Sequence, residues 1–206
     1  MGDSYDAADI RVTEFDQHVR THPGMYFGAS GDGTAGRATR VLCAVLDHAL
    51  HPAAGLAPTH TARVEAEILG DLTFRVADDQ VEDAGDRDWP RPGYYGALLG
   101  PCRWIWAAAA AVSARAVVEV WREGRGFRQE LRGLGPLEYP RAFDAPAGTG
   151  TRVLYELDGT WAATALSPDL AALDRHAPHC GGRLGPGGVT LRDLRAPGSP
   201  VTVRLR

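Results

Sequence analysis

Residues 63–79, "RVEAEILGDLTFRVADD", constrain the fold more than any other stretch of the chain. Side-chain character alternates at period two on both sides of Gly70-Asp71, a turn-forming pair, so the segment predicts a β-hairpin with one buried face. In its second arm Leu72, Phe74 and Val76 share that face, and Asp78 follows in the same phase. A carboxylate at the end of an apolar row has two readings. It lines the floor of a pocket as a ligand contact or proton donor, or it caps the strand end through local backbone N–H groups.

The rest of the chain supplies partners for that hairpin. "TEFDQHVRTH" predicts a short helix stopped by Pro23-Gly24. After the Gly-rich "GDGTAG", Val41, Leu42, Val45, Leu46, Ala49 and Leu50 recur at helical spacing up to Pro52. "QVEDAGDRDWPRPGYYG" reads as a mobile loop, and "ALLGPCRWIWAAAAAVSA" as a buried helix, too short for the ~20 residues of a membrane span. "AVVEVWREG" and "GFRQELRGL" form a second hairpin, with Val118, Val120 and Arg122 in one phase. "GTGTRVLYEL" is a further strand with Thr151, Val153, Tyr155 and Leu157 in phase, and a helix is expected over 168–176 behind Ser167 as its N-cap. "GVTLRDL" and "VTVRLR" make a last hairpin. Helices interleaved with antiparallel hairpins predict an α+β fold: a two-layer sandwich whose mixed, mostly antiparallel sheet carries helices on one face. An N-terminal arm, 1–13, precedes one domain over 14–206.

Composition narrows the function classes. The 206 residues are 44% hydrophobic, enough for a real core. Net charge is −4 and all 22 basic residues are arginine, so no global positive field favours direct contact with nucleic acid or an anionic membrane. Cys43, Cys102 and Cys180 are few, odd in number and widely spaced, which fits reduced thiols in a cytoplasmic protein. "HAPHC", His176–Cys180, has metal-ligand residue types but no second cluster, so neither a metal nor a cofactor is expected.

Five motifs in order then carry a resemblance. "VRTHPGMYFG" resembles Val-Arg-Lys-Arg-Pro-Gly-Met-Tyr-Ile-Gly, and "LDHALHPA" stands where Val-Asp-Asn-Ala-Ile-Asp-Glu-Ala is found. "FRVADDQ" is similar to Val-x-Asp-Asp-Gly-Arg-Gly, "AVSARAVVEVWREG" to Ala-Leu-Ser before a strand and Arg-Glu-Gly, and "GTGTRVLYEL" to Thr-Gly-Thr before a strand. The chain thereby resembles the ATP-binding domain of the gyrase B subunit and topoisomerase IV, of the GHKL ATPase superfamily, from about residue 14 onward. The resemblance implies the GHKL (Bergerat) sandwich.

It also implies what is missing. The general base of such an ATPase falls at Ala44 and the Mg²⁺-binding Asn at His48, an imidazole where a hard cation wants oxygen. Two further acidic places hold His51 and Pro52. The phosphate-cradling glycine loop reads "GPCRWI" from Gly100, with Arg103 and Ile105 in glycine places, Trp104 between them and Pro101 removing a donor. The base-binding half is better kept: by the resemblance Asp78 matches the carboxylate that receives adenine, Thr151 its neighbour and Arg122 the pocket mouth.

The expectation is therefore a domain that does not hydrolyse ATP. It would reuse the adenine pocket for a small apolar or aromatic molecule. A cofactor-independent cyclisation or isomerisation in secondary metabolism would have Asp78 as acid, with His48 or Asp47 as partner. Ligand contacts would come from Thr151, Arg122, Arg103, Trp104, Cys102 and Val76. The alternatives are a pseudo-ATPase acting by protein contact, as a regulator or gyrase mimic, and a weak adenosine nucleotide binder. A protein partner and a homodimer both stay open.

Overall fold

A computed structural model describes residues 13–28, 36–50, 62–80, 89–168, 187–196 and 201–205. The expected arm, most of the Gly-rich loop, His51, Pro52, the helix over 168–176, "HAPHC" and Cys180 lie outside the described residues, apart from Thr13 and Pro168.

The strands are β1 (Ala62–Gly70), β2 (Thr73–Asp78), β3 (Ser113–Arg122), β4 (Arg125–Arg132), β5 (Gly135–Pro136), β6 (Arg141–Phe143), β7 (Thr149–Leu157), β8 (Gly187–Asp193) and β9 (Val201–Leu205). They form one nine-stranded sheet in the order β5-β4-β3-β7-β2-β1-β8-β9, with β6 also on β4. The β1–β8 pairing is parallel and the others are antiparallel. The helices are α1 (Phe15–Thr21), α2 (Gly24–Phe27), α3 (Arg37–Ala49), α4 (Trp104–Ala111) and α5 (Gly159–Ala162). This is the expected α+β architecture with a mixed, mostly antiparallel sheet. No described helix is long and apolar enough to cross a membrane.

Period two places side chains in cross-strand rows on the inner face. One row runs Ile68, Phe74, Tyr155, Ala116, and the next Ala66, Val76, Val153, Val118. All eight residues are fully buried. The third row runs Val64, Asp78, Thr151, Val120, so the carboxylate and hydroxyl stand where the apolar rows end. α3 packs its buried side on β1 and β2, and α4 lies on β3 and β7 and against α3. Every residue of α4 from Ile105 to Ala111 is buried, as befits a helix apolar all round, and its alanines permit close approach.

The other face of the sheet carries paired charges. Glu119 accepts from Arg128 at 3.0 Å and Arg152 at 2.6 Å, Arg115 bridges Glu130 at 2.7 Å and Glu156 at 2.6 Å, and Glu67 pairs with Arg75 and Arg192. Residues 89–96 were expected to belong to a mobile loop and 97–103 to the buried helix; residues 89–100 form a fixed strap, and the helix begins at Trp104. Buried Gln129 of β4 accepts from the Leu98 N–H at 2.9 Å and donates to the carbonyls of Glu138 at 2.9 Å and Gly96 at 3.3 Å. At the strap's turn Tyr95 takes a left-handed φ of 53°. Its hydroxyl donates to Glu14 and accepts from the Phe15 N–H, both at 2.9 Å, which ties the strap to α1.

Candidate functional site

The site grows from the third row. Asp78 ends β2 with its side chain inward, 4% exposed. Opposite it, Gly100 leads into a single 3-10 turn, Pro101–Arg103, just before α4. The Arg103 N–H donates to the Gly100 carbonyl at 2.9 Å, closing the turn. The Arg103 side chain then runs inward rather than to solvent and is 6% exposed as a residue.

The two meet fork to fork. Nη1 of Arg103 donates to Oδ2 of Asp78 at 2.7 Å, and Nη2 to Oδ1 at 2.9 Å. Nη2 also donates to the Gln80 carbonyl at 3.0 Å, and that carbonyl accepts from Thr151 Oγ1 at 3.0 Å. The Gln80 N–H donates to Asp78 Oδ1 at 3.1 Å, so the strand-end cap is made as well. The guanidinium lies over the Trp106 ring, 4.6 Å from its centre. The Tyr155 hydroxyl donates to the Trp106 carbonyl at 3.2 Å. The cluster thus supplies both buried charges with bidentate partners and aromatic cover, the arrangement that makes such a pair tolerable in an apolar interior.

Burial pushes the Asp78 carboxyl above its ordinary range, while the Arg103 charge, its hydrogen bonds and the Gln80 amide pull it back. Its oxygens already face a guanidinium, so a bound molecule would meet Asp78 only after Arg103 had moved. One buried polar atom beside the pair has no partner among the described residues: the indole N–H of Trp106.

The expected site residues sort as follows. Asp78, Thr151 and Arg103 come together through the Gln80 carbonyl. Val76 is wholly buried one row deeper. Arg122 stands two residues beyond Val120, opposite Thr149, and is half-buried. Asp47 and His48 are both buried on α3. The His48 ring meets Trp104 edge-on at 5.7 Å, and Trp104 meets Tyr26 at 6.1 Å, so these rings form an aromatic seam. Ala44, expected to stand in the place of a general base, offers only a methyl group. Among the described residues no three His, Cys, Asp or Glu side chains are grouped to hold a metal ion.

Two parts of the site escaped the sequence reading. Arg103 was expected in a glycine place of the phosphate loop and as a ligand contact, and Gln129 was not singled out. The available signal was chemical: an inward Asp whose own hairpin carries its arginines, Arg63 and Arg75, in the opposite phase, and an arginine bordering a helix of unbroken apolar residues. A cleft of about 360 Å³ was also missed; it is lined by the strap at Arg91–Tyr94 and by Gly100, Pro101 and Cys102.

No family model matches the chain. A search of curated proteins likewise returned no match.

Proposed function

We propose that the chain is a gyrase-B-like, GHKL-type domain that has lost ATP hydrolysis, whose former base-binding position is filled by its own Arg103, and which acts by contact with another protein. The observation that carries this reading is the buried Asp78–Arg103 fork. A pocket kept for a ligand needs its recognition carboxylate accessible; here an internal cation takes both oxygens, and Thr151 spends its hydroxyl on the Gln80 carbonyl. Ala44 and His48, in the places of base and metal ligand, support the loss of hydrolysis.

A second reading keeps Asp78 as the acid of a cyclase or isomerase, or as a ligand contact, with Arg103 swinging aside. The orphan Trp106 N–H under the guanidinium favours it, since an incoming acceptor would satisfy that group.

Calorimetry with ATP and adenosine, with and without Mg²⁺, tests the filled site: neither should bind the wild-type protein, and sub-millimolar adenosine binding would overturn it. The contact role is tested by replacing the fork with Asp78→Leu/Arg103→Met and asking whether the folded variant complements a deletion strain. Full complementation is expected; its loss in a stable variant moves the assignment to the Asp78 pocket.

A further inference from the structure

The 360 Å³ cleft has a chemistry of its own. Gly100, Pro101 and Cys102 line it, whereas Arg103, the next residue, turns inward to Asp78. Its other wall is the strap from Arg91 to Tyr94. That wall is held in place: the Gly93 N–H donates to the Ala97 carbonyl at 2.7 Å and the Tyr94 N–H to the Leu99 carbonyl at 3.0 Å. A Cβ at Gly93 would stand 2.2 Å from the Leu99 carbonyl oxygen, so only glycine allows the two segments this approach. The Tyr94 ring is stacked on Phe15, with centres 4.5 Å apart and planes 6° from parallel. A cleft with fixed walls and a volume of this size suits a small molecule.

Its side chains offer donors. Arg91 is exposed and makes no ion pair among the described residues. The Tyr94 hydroxyl has no hydrogen-bond partner among them either. Burial raises the Tyr94 phenol above its ordinary value, so it keeps its proton at neutral pH and can donate. Among the described residues no carboxylate lines the cleft. Pro92, Pro101 and the Tyr94 ring supply flat apolar surface. The Arg91 and Tyr94 donors over flat apolar walls, with no acid among the described lining residues, suit an anionic, planar guest.

We propose that this cleft binds a small aromatic carboxylic acid, its carboxylate held by Arg91 and the Tyr94 hydroxyl and its ring lying against Tyr94 and the two prolines. The site is separate from the Asp78–Arg103 fork, so it stands or falls independently of the proposed function.

The test uses 2-naphthoate and the uncharged 2-naphthamide on the full chain, read by calorimetry and by the rate of Cys102 alkylation with iodoacetamide, mapped by mass spectrometry. The acid should bind at least about tenfold more tightly than the amide, as a charge-assisted hydrogen bond implies. Arg91→Gln should bring the acid down to the level of the amide with an unchanged melting temperature, because Arg91 is exposed. Tyr94→Phe, which keeps the ring stack, should weaken the acid more than the amide, whose carbonyl accepts only a neutral hydrogen bond. Saturating 2-naphthoate should slow alkylation of Cys102. Absence of binding at millimolar acid, equal binding of acid and amide, indifference to Arg91→Gln, or an unprotected Cys102 would each overturn the proposal.

Discussion

Asp78 and Arg103 lie 25 residues apart in the chain and close on each other through hydrogen bonds of 2.7 and 2.9 Å, with both residues over nine-tenths buried. Their charges are therefore interdependent. Asp78→Asn is nearly isosteric but leaves the Arg103 cation without a counter-charge, and Arg103→Ala strands the carboxylate. Each single change should cost about 3–5 kcal/mol in urea unfolding, while the apolar pair Asp78→Leu/Arg103→Met should return to within about 1 kcal/mol of the wild type or above it. Arg103→Lys should not rescue the site, since an ammonium lacks the planar fork. A neutral Asp78→Asn would mean that Arg103 does not depend on the charge.

Gln129 does for the strap what Arg103 does for the strand end. The residue is 1% exposed and its carboxamide holds three backbone groups, those of Leu98, Gly96 and Glu138. Gln129→Ala leaves these without their partner, at about 1–3 kcal/mol for each group that water cannot reach. Hydrogen exchange should locate the effect: the Leu98 amide becomes fast while amides of β7 keep their protection. Uniform acceleration across the sheet would show instead that the strap is not a separate unit.

The limits of the sequence reading follow from the same physics. The hairpins, the strand over 149–157 and α3 were legible because each runs long enough to show its period, and the inward phase of Asp78 and Thr151 came with it. β5 and β6 have two and three residues and α5 has four, too few to show any period; pairing with β4 and the Asp158 cap define them. The direction of Arg103 was not legible because a long flexible side chain at a helix start can go to solvent or inward, and only the fold places Asp78 within its reach. Gln129 was hidden as a polar residue in an inward phase, between Phe127 and Leu131, where alternation alone leads one to expect an apolar side chain.

Acid should destabilise the fold through three carboxyls held below their ordinary range. Asp158 is lowered by the Thr160 hydroxyl and Arg20, Asp193 by Arg195, and Glu130 by Arg115. Their folded-state values lie under the unfolded ones, so their stabilisation is present above about pH 4 and is lost as pH falls through that range. Melting temperatures should therefore drop on acidification below about pH 4. Arg20→Met should flatten the part of the profile due to Asp158; a profile unmoved by that change would remove the Arg20–Asp158 pair from the account.

The two described cysteines should differ sharply in reactivity. Cys43 sits on the buried side of α3, and burial, reinforced by the Asp47 charge, pushes its thiol up to about 12. The attacking species is the thiolate, which at neutral pH is then a vanishing fraction even before access is considered. Cys102 is half-buried at the rim of the cleft. With iodoacetamide at pH 7.5, Cys102 should be modified while the protein stays folded, and Cys43 only at the rate of global unfolding. Low urea should accelerate the Cys43 reaction in step with the unfolding equilibrium and leave Cys102 nearly unchanged. In Asp78→Asn, which weakens the fork beside α4, Cys43 labelling should rise in proportion to the lost stability. Fast Cys43 labelling in the fully stable wild-type protein would show that α3 opens locally, and that the helix over the candidate site is not the fixed wall its burial implies.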